Sequence, residues 1–126
     1  MNEPVENLRR VGAMVAGLPE TERVDVESWD GEPTFRVRGK VFVFGAPDGS
    51  GITVKLPREE AEALVATDPA VSPAGYGLGR HGWVSVRLGT DPGREPDAER
   101  WRQVEEWVRS SYALVAPKRL ARLVES

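Results

Sequence analysis

The stretch from Thr34 to Ala46 constrains this chain more than any other. Two runs rich in β-branched and aromatic residues, ending at Arg38 and resuming at Val41, flank Gly39-Lys40. Their period-two alternation commits both to strands, and a two-residue loop with glycine in first place is what a type II′ hairpin turn prefers. With Gly39-Lys40 as the loop, Arg38 stands opposite Val41, Val37 opposite Phe42, Arg36 opposite Val43 and Phe35 opposite Phe44. Opposed residues share a face. Phe35, Val37, Phe42 and Phe44 are therefore expected in the core, with Arg36, Arg38, Val41 and Val43 outside.

A lone hairpin cannot bury an apolar face, so the rest of the chain must supply more strands and a covering layer. Val24 to Ser28 alternates as a short strand, with Val24 and Val26 expected inward and an acidic outer face. Ile52-Thr53-Val54-Lys55-Leu56 and Trp83-Val84-Ser85-Val86-Arg87-Leu88 alternate in the same way; Ile52, Val54, Leu56, Val84, Val86 and Leu88 are expected inward. Helical spacing marks Val5, Leu8, Val11 and Val15, which end at Gly17-Leu18-Pro19. It also marks Arg58 to Val65, stopping by Asp68-Pro69, and a long run from Asp97 through Trp101, Val104 and Val108 to Val115. Pro117 interrupts that run, and Leu120, Leu123 and Val124 suit a final turn or two. Residues 69 to 82 hold too many prolines and glycines for a regular element and read as a long loop. The order predicts an α+β fold of two layers, an antiparallel sheet of about five strands with helices on one face.

At 126 residues, 40% hydrophobic and 29% charged, the chain suits one domain spanning residues 1–126. The absence of cysteine excludes disulfides, thiolate nucleophiles and cysteine-based metal sites. No basic-then-apolar leader and no apolar run of bilayer length is visible, so the expected compartment is the cytoplasm, without membrane association. A net charge of -3 exerts no global pull on nucleic acid, but the charges are unevenly spread. Residues 20 to 32 hold six carboxylates against Arg23, whereas residues 36 to 55 hold Arg36, Arg38, Lys40 and Lys55 against Asp48 alone.

Several separated motifs recur in a known order: Phe35 to Phe42, Val54-Lys55, Pro73 and Tyr76, Trp83 to Val86, and Ser111-Tyr112-Ala113-Leu114-Val115-Ala116-Pro117-Lys118. In this order and spacing the chain, from about Leu18 to Lys118, resembles the MmcQ/YjbR family. The resemblance implies a CyaY-like or secretion-chaperone-like fold with an antiparallel sheet of about five strands. It also implies DNA binding, since members are commonly described as DNA-binding proteins with a double-wing arrangement. One departure is local: where a lysine often precedes the family's tryptophan, this chain has Arg80-His81-Gly82 ahead of Trp83.

The functional reading that follows is a non-enzymatic nucleic-acid-binding protein. Arg36, Arg38, Lys55 and Arg87 are expected on the outer sheet face, extended by Lys40 at the hairpin tip and by Arg80 and His81 in the loop. Cations on that face would meet phosphates, and Trp83 would stack a base. The competing reading is a face charged for solubility. An adaptor for a protein segment or small ligand is the alternative function, using the exposed sheet and the Pro73 to Gly82 loop. His81 is the one imidazole of the chain, with no nucleophile or carboxylate assigned to it by motif. The acidic stretch matches no EF-hand spacing and reads as a solvated face, and Gly75-Tyr76-Gly77-Leu78-Gly79 precedes a strand instead of opening a helix, which removes the nucleotide-loop reading. Ser111 and Tyr112 read as packing and helix-backbone partners, and the four Trp as mostly core, with Trp29 and Trp83 as the exposed candidates. No metal and no cofactor is expected. DNA or RNA is the expected partner.

Overall fold

The computed structural model of the protein describes residues 4–29, 31–89 and 96–124. Among these residues four helices, α1 (Pro4–Ala16), α2 (Arg58–Thr67), α3 (Ala98–Val115) and α4 (Lys118–Val124), accompany six strands. These are β1 (Thr21–Val26), β2 (Glu32–Val37), β3 (Lys40–Gly45), β4 (Gly51–Lys55), β5 (Val71–Pro73) and β6 (Trp83–Arg87). They form one antiparallel sheet in the order β1-β2-β3-β4-β6-β5.

The helices begin and end where local chemistry demands. Asp97 caps α3 by accepting the Arg100 N–H at 2.8 Å, and α1 stops before Gly17-Leu18, where Thr21 Oγ1 donates to the carbonyls of Val15 and Leu18. Apolar positions then select the face. Val11 and Val15 of α1, Ala61 of α2, and Trp101, Val104 and Val108 of α3 are buried against Phe35, Val37, Val43, Ile52, Val54, Val84 and Val86 of the sheet. Trp101 and Trp107 belong to this core; the side chain of Trp29 and the whole of Asp30 lie outside the described residues, as does the Thr90 to Glu95 part of the turn-rich segment before α3.

The hairpin differs from its expected register. The loop is Arg38-Gly39, with φ of 52° and 82°, and Val37 pairs with Lys40. Two successive left-handed residues make a turn of the type I′ kind, whose twist matches that of the flanking strands. The one-residue shift is then undone by a bulge: Arg36 pairs with Val41 and Phe35 with Val43, which leaves Phe42 as the extra residue. Phe42 and Val43 both become buried, while Phe44 joins Thr34 on the outer face. The expected core position of Phe44 and outer position of Val43 are thus reversed.

Two further expectations change. Val24 pairs with Thr34 and Val26 with Glu32, which puts both valines on the outer face. Arg23 and Asp25 take the helix side instead, joined to each other at 2.8 Å at the open margin of the edge strand. The expected long loop at residues 69 to 82 contains β5 and a 3₁₀ turn, Leu78–His81. Val71 is buried and anchors the short strand, and Pro73 is tolerated because β5 is the sheet's edge.

Candidate binding face

The sheet has one face under the helices and one without a covering layer, and on the second the side chains fall into three transverse rows. At the hairpin end stand Glu22, Arg36, Val41, Lys55 and Trp83. Across the middle run Val24, Thr34, Phe44, Thr53, Ser85 and Ser72, one from each strand. At the far end are Val26, Glu32, Gly51 and Arg87.

The middle row carries no charge and is internally bonded. Thr34 is wholly buried; its hydroxyl donates to the Val24 carbonyl at 2.6 Å and accepts from Arg36 Nε at 3.1 Å. Thr53 Oγ1 and Ser85 Oγ lie 3.1 Å apart. Phe44 leans across towards Trp83, their ring centroids 5.5 Å apart at 67°, an edge-to-face contact outside the core. The loop between β5 and the 3₁₀ turn borders this row, and between them lies a half-open cavity of about 670 Å³ lined by Glu32, Phe44, Thr53, Ser85, Tyr76 and Leu78, among others. A second hollow of about 520 Å³ shares Glu32, Phe44, Thr53 and Ser85 and continues to Arg87. Tyr76 is fully exposed and holds φ at 58°, in the left-handed region that few side chains visit.

The cations named from the sequence do not form one patch. Arg36 and Lys55 share the hairpin-end row with Trp83, and Arg87 sits four residues along β6 from Trp83, roughly 13 Å away at strand spacing. Arg87 also donates to the Pro69 carbonyl at 3.0 Å. Arg38, expected beside them, occupies the turn and is drawn towards the helix layer. It pairs with Glu20 at 3.4 Å, and Glu20 in turn pairs with Arg119 of α4 at 3.2 Å. Lys40 is exposed next to the turn. Arg80 and His81 are exposed on the 3₁₀ turn, with Arg80 lying over a depression bounded by Arg58 and Glu62 of α2.

Ser111 and Tyr112 are both fully buried. Ser111 Oγ donates to the Phe42 carbonyl and accepts the Lys55 N–H at 2.9 Å, bonds to the sheet where its own helix backbone was expected. Tyr112 donates to the Pro19 carbonyl at 2.7 Å and meets Phe42 edge to face. Among the described residues no group of three or more His, Asp or Glu side chains is placed to hold a metal ion, and no helix is long and apolar enough to cross a membrane.

Two residues of this face, Phe44 and Glu32, carry no local sequence signal of their placement. An apolar residue in an alternating strand looks like core, and only the bulge turns Phe44 outward. Glu32 reads in the sequence as one more member of a solvated acidic run, and only the fold puts it on the same cavity lining as Tyr76 and Ser85.

The family model described as YjbR matches residues 16–114. Among solved structures, the crystal structure of the Deinococcus radiodurans protein DR2400, with domain DUF419, is similar at a TM-score of 0.67 and 21% sequence identity, covering 90% of this chain and 81% of that one. At this identity the likeness concerns the fold. No curated protein sequence matches the chain.

Proposed function

From the premise that the chain belongs to the YjbR family, we propose that it is a non-catalytic cytoplasmic module that binds single-stranded nucleic acid on its outer sheet face. The observation that carries this reading is the Phe44–Trp83 pair. Aromatic rings on an open sheet face, with cations at both ends, form a stacking platform with phosphate contacts beside it. Arg36 and Lys55 flank the rings on one side and Arg87 lies beyond the neutral middle row on the other. A rigid duplex needs a continuous basic track, and the dispersal of Arg38, Lys40, Arg80 and His81 away from this face supplies none.

Fluorescence anisotropy with labelled single-stranded and duplex DNA and RNA at low salt tests the proposal. Single strands are expected to bind more tightly than duplex. Trp83→Ala is expected to weaken single-strand binding by about 1–3 kcal/mol, the usual worth of one stacked base. Equal affinity for duplex, or no effect of Trp83→Ala in a variant that still folds, counts against a stacking face.

A second reading, docking of a small ligand or protein segment, is favoured by the half-open cavity. It predicts binding that tolerates salt, where the phosphate-contacting face predicts binding that salt suppresses.

A further inference from the structure

We infer that the cavity between the outer sheet face and the loop carrying Tyr76 is a nucleobase pocket that selects guanine, an inference that rests on the single-strand reading above. Its volume of about 670 Å³ lies in the range of small-molecule sites. Among the described residues Glu32 is the sole charged group on its lining. That carboxylate is half-buried and makes no ion pair or hydrogen bond among the described residues.

An ionised carboxylate accepts hydrogen bonds and donates none. Whatever fills the cavity against Glu32 must therefore present donors. Guanine offers two side by side, N1–H and the 2-amino group, which match the two carboxylate oxygens. Adenine and cytosine offer one amino group each. Thymine and uracil present a single N–H between two carbonyl oxygens, and these repel the carboxylate. Thr53 and Ser85 share one hydrogen bond, so a hydroxyl hydrogen remains for a ring acceptor.

The rings fit a flat occupant. Phe44 supplies one wall, and Tyr76, with no packing of its own, stands at the mouth between Gly75 and Gly77. An organic ammonium would also satisfy a carboxylate among aromatic rings. Two features oppose it: Arg87 lines the adjoining hollow and Lys55 lies along the same face. That arrangement suits a neutral base attached to an anionic backbone.

The test measures anisotropy of a short labelled oligothymidine whose central base is thymine, guanine, hypoxanthine, adenine or cytosine. For the wild-type chain, the guanine strand is expected to bind about tenfold more tightly than the all-thymine strand, the effect of one bidentate contact. Hypoxanthine, which lacks the 2-amino group, should fall between the two and requires no change to the protein. Glu32→Gln should erase the guanine preference, guanine losing affinity and thymine losing none, with an unchanged melting temperature showing that the fold persists. Equal affinity for every central base overturns the pocket assignment and leaves the single-strand reading standing. No binding of any strand overturns both. Saturable binding of phenethylammonium, lost in Glu32→Gln, would assign the pocket to cations instead and likewise overturn the inference.

Discussion

Ser111 is a polar side chain in the middle of the hydrophobic layer, and the bulge at Phe42 explains it. The β3–β4 ladder runs from Gly45–Ile52 to Val43–Val54. Beyond it the Phe42 carbonyl and the Lys55 N–H need partners, and Ser111 from α3 serves both. Replacing it with alanine leaves two buried backbone groups unpaired, each costing about 1–3 kcal/mol. Urea denaturation of Ser111→Ala is therefore expected to show a loss of about 2–6 kcal/mol with little change in the slope.

Asp68 behaves differently. Burial pushes its carboxyl up, but the Ala70 N–H and the Arg100 guanidinium at 2.7 Å outweigh that and hold it below the usual carboxylate range. A carboxyl lowered in the folded state adds stability that is present above its unfolded value, near pH 4, and is lost as acid protonates it. Melting temperatures across the acid range should thus fall less steeply for Asp68→Asn than for the wild type. Equal acid slopes for the two proteins would show that the Arg100 pair does not contribute to acid sensitivity.

At the scale of elements, most strands and helices were legible because each carries its own period. The alternation in β4 and β6 survived intact, with Val54, Val84 and Val86 buried and Lys55 and Trp83 turned outward. The three-residue β5 carries too little pattern to stand out from its glycines and prolines. Only pairing with β6 makes it a strand.

The hairpin shows the limit most clearly. Glycine at the first loop position and glycine at the second are both acceptable local solutions, and they differ by one residue of register. The observed turn keeps Arg38 at φ 52°, a strained choice for arginine. Arg38→Asn, an Asn-Gly turn, is expected to stabilise the protein by about 0.5 kcal/mol. Relief of roughly 1 kcal/mol of left-handed strain exceeds the roughly 0.5 kcal/mol of an exposed ion pair with Glu20. Thermal denaturation checks it; destabilisation would favour the register with Gly39-Lys40 in the loop.

For the whole molecule, the layering decides what the surface presents. With three cations on the outer face, Arg36, Lys55 and Arg87, single-strand binding is expected to weaken with salt at a log–log slope of about −2. Titrations at several salt concentrations check it, and a slope near zero would select the small-ligand or protein-segment reading. The net charge of -3 makes this dependence a property of one face.

The sequence alone determined the α+β class, the antiparallel sheet, the helix positions and the apolar faces of β4 and β6. Those follow from period and local propensity, which act over a few residues. Tertiary structure decided the hairpin register, the sixth strand, the outward turn of Phe44 and the diversion of Arg38 to Glu20 and α4. Each depends on a partner distant along the chain, and a one-residue bulge exchanges the two faces of a strand. The alternation that identified the hairpin was therefore sufficient to make it a hairpin, but not to say which of its aromatic residues would face the solvent.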